Sequence, residues 1–421
     1  MDSDLDLTLP ETHLAVRWYP PSYDIRLERV PTPKIEHPDD AIVKIKFSGL
    51  CGSDLHVYRG HEDVDELHVC GHEFIGYVVA LGSSFTSSSP KSRPALYGTL
   101  KVGDKVVSPF TTSCGECRRC RLGFTARCES SLLFGSPRLP GAQAQYARIP
   151  HAGGTLFALP TDTQSTLSNP SLSKLTALPD PTLILLADIL PTGLSVALNA
   201  LMHPKLAPIL HGKAWPDEDR VLTVGVVGLG PVGLCAFLSL LDLLSNPANL
   251  ATSALRFRLI AVDPNAARRA KLSTIIASLP TELKGSSRGE FEVCGIDEAK
   301  GVLERPGWGG GCDAVLEVVG NPSALTLSES LLSPSGVLSS CGVHQAPPVP
   351  FTGRDLYNAS MSLEFGRCNV RSVFAMSCGV MARMGSDVGV VERVLPLSRV
   401  VEAYEKFERG EWGKVVFDPW A

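Results

Sequence analysis

A glycine-rich segment between an apolar run and an apolar helical pattern constrains the fold of this chain more than any other feature. Within Val224–Ala236, Gly228, Gly230 and Gly233 have the spacing G-x-G-x-x-G. Such glycines allow a tight turn, a close approach of the backbone to a pyrophosphate and close helix packing. The spacing alone is weak, but here it lies in the strand–turn–helix context that the motif requires. The segment therefore predicts the first turn of a dinucleotide-binding domain.

The chain after Arg220 alternates apolar strands with helical segments, a pattern typical of a parallel, doubly wound sheet. The further strands predicted here are Leu259–Val262, Asp313–Val319 and Gly336–Cys341. We expect this α/β domain, a Rossmann fold, to cover residues 190–358.

The remaining residues predict a second, β-rich domain that uses both ends of the chain, 1–189 and 359–421. Ala41–Phe47 alternates as a strand, and a helix at Val400–Glu408 precedes a closing strand at Lys414–Phe417. Several stretches rich in Ser, Pro, Asn or mixed polar residues indicate surface insertions rather than core. They are Gly82–Pro94, Thr161–Pro181, His203–Glu218 and Ser245–Ser253.

The bulk composition is that of a soluble globular protein, with 44% apolar and 20% charged residues among 421. A formal net charge of −5 gives no general attraction to nucleic acid or to an anionic membrane, so neither is expected as a partner. The N-terminus lacks a basic region, which argues against a secretory signal. The apolar stretch Val221–Leu244 is interrupted by glycines and is better explained by strand, turn and helix than by a membrane span. We expect a cytoplasmic protein.

Twelve cysteines without a secretory signal indicate reduced thiols. Cys114, Cys117, Cys120 and Cys128 have the spacing C-x2-C-x2-C-x7-C, which suits a closed tetrahedral zinc site in a lobe at residues 109–130. An iron–sulfur cluster is the main metal alternative. A zinc module for nucleic acid is poorly supported by the overall acidity. Seven isolated cysteines are expected to be buried, namely Cys70, Cys235, Cys294, Cys312, Cys341, Cys368 and Cys378.

With the turn Val102–Val106 before it, the four-cysteine lobe resembles the structural-zinc lobe of medium-chain zinc-dependent alcohol dehydrogenases. The similarity extends over nearly the whole chain. It implies a GroES-like catalytic domain in addition to the Rossmann domain, two zinc ions per chain and a homodimer or homotetramer. It also implies an oxidoreductase that interconverts an alcohol and an aldehyde or ketone by hydride transfer to a nicotinamide cofactor. The alternative is a non-catalytic zinc- and nucleotide-binding scaffold or sensor that retains this fold.

Cys51 and His72 are the first two candidate ligands of a catalytic zinc. Alone they form a weak pair about twenty residues apart, but the resemblance assigns both as ligands. The third is Asp188, in the segment Asp-Ile-Leu-Pro-Thr-Gly, which looks like the Asp-x-x-Pro-Thr-Gly element of the formaldehyde-dehydrogenase-like branch. A helix N-cap is the alternative role for this aspartate. Glu73 matches an alternate or transient ligand of the family.

Three further polar residues complete the predicted catalytic group. The resemblance gives Asp54 the role of orienting His72, as carboxylates do for ligand imidazoles. Ser53 accepts or passes the hydroxyl proton, and His56 carries it towards solvent. A surface histidine without a relay role is the alternative for His56.

The acid Asp263, at the end of the second strand, favours NAD because its carboxylate accepts from ribose hydroxyls and repels a 2′-phosphate. Arg268 and Arg269 keep NADP open, because cations just after the acid can bind a 2′-phosphate, although Arg268 also matches a basic residue of the family beside the NAD adenosine. The motif residue Val232 is placed at the cofactor with the three glycines. Further positions that match cofactor-lining residues of the family are Thr192, Val319, Gly320, Val343 and Lys414.

Overall fold

The computed structural model describes residues 8–160, 174–211, 220–246, 255–285, 287–345, 348–385 and 389–421. The chain forms two compact units. Unit 1 combines Met1–Asp188 with Asn369–Ala421, and unit 2 is Ile189–Cys368. The first boundary lies one residue from the one that the sequence predicts, and the second lies ten residues after it. Residues 161–173, 212–218 and 247–253 of the predicted insertions are outside the described residues.

The strands are numbered in chain order. They are β1 Thr12–Tyr19, β2 Asp24–Pro31, β3 Ala41–Leu50, β4 His68–Val69, β5 Phe74–Leu81, β6 Lys105–Ser108, β7 Tyr146–Ile149, β8 Phe157–Ala158, β9 Val221–Val227, β10 Arg256–Val262, β11 Gly289–Cys294, β12 Cys312–Glu317, β13 Leu332–Ser340, β14 Ser362–Phe365, β15 Val391–Pro396 and β16 Lys414–Asp418.

The helices are α1 Asp54–Tyr58, α2 Leu96–Thr99, α3 Arg118–Arg121, α4 Ala152–Thr155, α5 Asp180–Leu183, α6 Ile189–Leu201, α7 Ala207–His211, α8 Pro231–Ser245, α9 Ala266–Ser278, α10 Ile296–Leu303, α11 Pro322–Leu331, α12 Gly353–Ala359, α13 Val370–Met384 and α14 Val400–Glu408. Short 3₁₀ turns occur at Thr125–Arg127, Ile184–Leu186, Pro204–Leu206 and Leu397–Arg399.

Unit 1 is built on a sheet whose path is β15-β16-β3-β5-β6-β8, with β7 paired to β3 and a separate three-stranded sheet, β2-β1-β4. The central strand β3 is buried over most of its length, as expected for a strand covered on both faces. It runs antiparallel to β5, with Ser48 opposite Phe74, and to β16, with Leu50 opposite Val415. This register brings the end of β3, the start of β5 and the start of β16 to one place.

Unit 2 is a six-stranded parallel sheet in the order β11-β10-β9-β12-β13-β14. Counted within the unit, this order is 3-2-1-4-5-6, the doubly wound arrangement that the glycine motif predicts. Helix α8 begins directly after Gly230 and is almost entirely buried. The sequence did not predict β11 or β14, which form the two edges of the sheet.

Among the described residues, one helical stretch, Asp180–Leu201, is long and apolar enough to cross a membrane by composition alone. Of its most apolar window, 72% is buried inside the protein. This burial is that of a core helix in a soluble fold. The expectation of buried thiols is confirmed for six of the seven isolated cysteines, whereas Cys341 is half-buried.

Candidate functional site

Four side chains that could bind a metal converge in unit 1. Cys51, His72, Glu73 and Asp188 offer ligand atoms that all lie within 4.8 Å of one another. His72 Nε2 lies 3.4 Å from Asp188 Oδ2. Ligand bonds of the usual zinc lengths at tetrahedral angles put neighbouring ligand atoms roughly 3.4–3.8 Å apart. The arrangement therefore fits a zinc ion bound by one thiolate, one imidazole and one carboxylate.

Asp54, at the start of α1, fixes the geometry of two of these residues. Its Oδ1 lies 3.2 Å from His72 Nδ1, and its Oδ2 accepts a hydrogen bond from the backbone N–H of Cys51 at 2.9 Å. A carboxylate on Nδ1 leaves Nε2 as the nitrogen that faces Asp188, which is the arrangement that orients a ligand histidine. The structure thus gives Asp54 the contact that the sequence predicts for it.

The electrostatics of this cluster favour a bound cation. Burial by itself lowers the pKa of His72, but the carboxylate of Asp54 and hydrogen bonds that the imidazole donates to Asp188, Asp54 and Cys51 raise the pKa well above its ordinary value. The negative groups therefore outweigh the loss of hydration. The thiolate of Cys51 and the carboxylate of Asp188 together carry two negative charges, which match the charge of a divalent metal ion.

Behind these ligands lies a buried ion pair between Glu73 and Lys414. Lys414 donates to Glu73 Oε2 and, at 3.1 Å, to the carbonyl of Leu50. Both side chains are almost completely buried, with 0% and 1% exposure. Burial raises the pKa of Glu73, whereas Lys414 opposes that shift. The family resemblance places Lys414 among the cofactor-lining residues, whereas its described contacts are with Glu73 and Leu50 within unit 1.

The two predicted relay residues lie on either side of the start of α1. Ser53 Oγ is 3.3 Å from His72 Nε2, so its hydroxyl reaches the place where the ligand atoms converge. His56 is half-buried, and burial, with smaller contributions from Arg59 and His61, lowers its pKa. Its Nδ1 has no hydrogen-bond partner within the described part of the chain. The lowered pKa favours the neutral form of His56, which is the form that can accept a proton.

The four cysteines of the lobe also converge, with all four Sγ atoms within 4.8 Å of one another. Cys128 Sγ lies 3.5 Å from Cys114 Sγ and 3.9 Å from Cys117 Sγ. Backbone N–H groups point at the sulfur atoms, for example from Cys117 to Cys114 at 3.3 Å. Burial opposes ionisation of Cys117, but backbone and thiol hydrogen bonds lower its pKa to about 6. A closed thiolate site for one tetrahedral ion fits this geometry.

Arg93 connects this lobe to Asp39, which lies two residues before β3 begins. Its guanidinium forms two hydrogen bonds to Asp39, at 3.1 and 2.6 Å, and two to Glu116, at 2.9 and 3.3 Å. Glu116 lies between two of the cysteines, and the Arg93 side chain is only 19% exposed. The sequence assigned the segment that contains Arg93, Gly82–Pro94, to a surface insertion. The segment is exposed or half-buried over most of its length, as predicted, and Arg93 near its end is half-buried between two carboxylates that are distant in sequence.

In unit 2 the glycine motif forms the predicted strand–turn–helix. Gly228 has a φ of +97°, and a Cβ at Gly233 would lie 1.9 Å from the Gly228 carbonyl oxygen, so neither position tolerates a side chain. A Cβ at Gly230 would meet no atom within 4 Å, which leaves space for a ligand. Asp263 is buried and accepts from the Leu229 N–H at 2.7 Å, so its carboxylate is held beside the turn.

The remaining predicted cofactor residues, apart from Lys414, also lie in unit 2. Val319 and Val343 are 45% and 54% exposed, Val232 is half-buried, and Thr192 is buried. Arg268 lies with one nitrogen 3.6 Å from Asp263, and Gly320 has a φ of +84°. Contact of these residues with a cofactor stays a prediction.

Comparison with known proteins identifies the family. Residues 37–161 match the model of the alcohol dehydrogenase GroES-like domain. The chain is 36% identical over 396 residues to zinc-type alcohol dehydrogenase B of Aspergillus flavus, covering 94% of this chain and 79% of that protein. It is 37% identical over 349 residues to the medium chain reductase/dehydrogenase ucsI of Acremonium sp, covering 83% of this chain and 99% of that one. The solved alcohol dehydrogenase TADH from Thermus sp. ATN1 superimposes with a TM-score of 0.72 at 26% identity, covering 96% and 99% of the two chains.

The chain belongs to the medium-chain zinc-dependent alcohol dehydrogenase family. It is accordingly an α/β oxidoreductase with a GroES-like catalytic unit and a Rossmann unit, which interconverts an alcohol and an aldehyde or ketone with zinc and a nicotinamide cofactor. The alternative of a non-catalytic scaffold or sensor is not favoured.

Proposed function

We propose that Cys51, His72 and Asp188 hold the catalytic zinc of this enzyme and that a small alcohol is oxidised there with NAD. The convergence of the three ligand atoms around His72 Nε2 carries the proposal. Asp188 takes the position at which the best-known alcohol dehydrogenases have a cysteine. One thiolate and one carboxylate balance the charge of a divalent ion, and the shell is harder than one with two thiolates.

A zinc ion at this site supplies Lewis-acid polarisation of the substrate oxygen. Ser53 Oγ, which lies 3.3 Å from His72 Nε2, is placed to take the substrate hydroxyl proton. The proton then passes to His56, because burial favours the neutral imidazole, which is the form that can accept a proton. Asp54 holds His72 in one orientation during this transfer through its contact with Nδ1 at 3.2 Å.

We assign the cofactor as NAD because of Asp263. Its buried carboxylate lies at the end of β10 beside the glycine turn, where it accepts from ribose hydroxyls and repels a 2′-phosphate. Arg268, on the exposed side of this carboxylate, is the residue that could favour NADP. Asp263→Ser is expected to raise the turnover ratio of NADPH to NADH at least about tenfold. An unchanged ratio would contradict this assignment.

The ligand assignment is tested by metal content and turnover together. We expect two zinc ions per chain in the wild type and one in Cys51→Ala, with turnover of an alcohol panel lost in the variant. Cys378→Ala, which removes a buried thiol of the same unit away from the cluster, serves as the matched control and retains both. A Cys51→Ala enzyme with full turnover would refute the zinc mechanism. A wild type with one zinc per chain would support the inert alternative instead.

We further propose a cytoplasmic enzyme that assembles as a homodimer or homotetramer. The soluble dehydrogenase fold supports the location, and the family resemblance supports the assembly. Sedimentation of the purified protein measures the oligomeric state directly, and a monomer at micromolar concentration would contradict it.

A further inference from the structure

A buried cluster of Glu317, Ser340 and His344 in unit 2 plays no part in the chemistry proposed above. Glu317 ends β12 and Ser340 ends β13, so both lie at the carboxyl end of the parallel sheet. Glu317 is fully buried, Ser340 is 4% exposed, and the side chain of His344 is 18% exposed. Because a buried carboxylate is costly unless it is hydrogen-bonded, the partners of Glu317 show what the cluster holds in place.

Glu317 joins two loops through hydrogen bonds. Its Oε1 accepts from the backbone N–H groups of Val319 at 2.9 Å and Gly320 at 2.7 Å. Its Oε2 accepts from Ser340 Oγ at 2.6 Å. His344 Nε2 lies 2.7 Å from Ser340 Oγ and 3.3 Å from Glu317 Oε2. Since the serine proton goes to the carboxylate, the imidazole N–H donates to the serine oxygen. The loop after β12 and the loop after β13 are thereby tied to one carboxylate.

The two loops pack too closely to move independently. A Cβ at Gly342 would lie 2.2 Å from Gly320 Cα, so the backbones are in direct contact. His344 has a φ of +46°, which an ordinary loop residue rarely adopts. Next to this contact, Val319 and Val343 keep large apolar side chains exposed. Ligands of open α/β sheets bind in the crevice at the carboxyl ends of the strands, where such exposed apolar side chains can contact them.

The position in the sheet indicates which part of a dinucleotide this is. A doubly wound fold has two mononucleotide-binding halves, and Asp263 places the adenosine in the half that contains β10. The strands β12 and β13 belong to the other half. We propose that Glu317, Ser340 and His344 are positioning residues that hold the two exposed valines against the nicotinamide end of the cofactor. This inference rests on the proposed function, because the cofactor is taken from it.

Binding of NADH compared with ADP-ribose tests the proposal, since ADP-ribose lacks the nicotinamide ring. In Ser340→Ala and His344→Asn we expect a dissociation constant for NADH about tenfold higher, from the loss of a hydrogen bond in a charged network. The constant for ADP-ribose should stay within about twofold. Asparagine is chosen at 344 because it tolerates the left-handed backbone but is too short to reach Ser340. Ser333→Ala is the control, since Ser333 bonds the Cys312 carbonyl at the opposite end of β13.

An equal loss for both ligands would show that the cluster only stabilises unit 2, and unchanged NADH binding would show that it positions nothing; either result overturns the inference. These outcomes differ from failure of the proposed function. In that case the wild type itself would bind neither NADH nor ADP-ribose, and the inference would fall with it. Thermal unfolding of each variant, monitored in parallel, identifies any that do not fold, and Ser340→Ala and His344→Asn serve as independent tests of the same cluster.

Discussion

Removal of Lys414 is the perturbation with the largest expected consequence in unit 1. The ammonium group is fully buried against Glu73, and it also donates to the Leu50 carbonyl. Breaking a buried ion pair by deleting one partner costs about 3–5 kcal/mol, because the other charge is left without compensation. For a domain of this size, each kcal/mol lowers the melting temperature by about 2–4 °C. Lys414→Met should therefore lower the unfolding temperature of unit 1 by about 6–20 °C.

Calorimetry of the zinc-loaded protein measures this shift. The double variant Glu73→Gln/Lys414→Met removes both charges, so it should recover much of the loss, with a coupling free energy of about 2 kcal/mol or more. Arg26→Met, which breaks the exposed pair with Asp24, is the matched control and should shift the melting temperature by less than about 2 °C. The reasoning is refuted if Lys414→Met unfolds with the wild type, or if the double variant is no more stable than the single one.

The pH dependence of the single variant gives a second check of the same reasoning. Burial raises the pKa of Glu73, and in Lys414→Met the opposing attraction of the lysine is gone. A carboxyl group whose folded pKa lies above its unfolded value binds its proton more tightly in the folded state. The stability deficit of Lys414→Met should therefore shrink as the pH falls from about 8 to about 5.5. A deficit that grows over this range would contradict the assignment of the cost to an unpaired Glu73 carboxylate.

Three further predictions follow from the described contacts. Arg93→Ala removes four hydrogen bonds to two carboxylates and should speed the release of structural zinc to a chelator several-fold, whereas the exposed-pair variant Arg26→Ala should leave that rate unchanged. Burial lowers the pKa of His13 from 6.5 to about 4, so the folded state favours the neutral imidazole. This preference contributes up to about 3 kcal/mol to the free energy of unfolding, which is fully present above pH 6.5 and is lost as the pH falls towards 4. His13→Phe should therefore flatten the pH dependence of stability in acid unfolding curves. His56→Ala should lower kcat by about tenfold, and added imidazole should restore part of it; turnover that is unchanged would remove the proton relay through this residue.

In unit 2 the sequence predicted the central strands of the sheet better than the edge strands. The strand–turn–helix at Gly228 and the buried strands around it follow from glycine spacing and apolar runs, which are local signals. The edge strand β11 was missed because Glu290 and Glu292 give it a polar, mostly half-exposed surface. The other edge strand, β14, has only four residues, so its alternation is too short to detect. Edges of a sheet are partly solvated, and a partly solvated strand carries little apolar pattern.

The candidate site divides in the same way between local and long-range signals. The four-cysteine lobe could be predicted from spacing, because its ligands lie within one short loop. Cys51, His72 and Asp188 required the family resemblance, since their approach depends on the antiparallel register of β3 and β5 and on the segment before α6. The partners of Arg93 and Lys414 had no signal in the sequence. Each pairing is set by which strands or loops become neighbours, and residue type alone does not determine it.

The charge of Lys414 also bears on which carboxylate binds the metal. Glu73 and Asp188 both reach the cluster, so without a lysine the site would hold one thiolate and two carboxylates around a divalent ion. Lys414 is bonded to Glu73 and neutralises it, so the proposed anionic ligands are Cys51 and Asp188, which would give a shell of no net charge with a divalent metal. A more anionic set of ligands would weaken the Lewis acidity of the metal. Because Lys414 neutralises Glu73, Asp188 can serve as a ligand without that loss. Replacement of Lys414 should therefore alter the charge at the metal site as well as the stability of unit 1, because it leaves the Glu73 carboxylate without its counter-ion beside the proposed ligands.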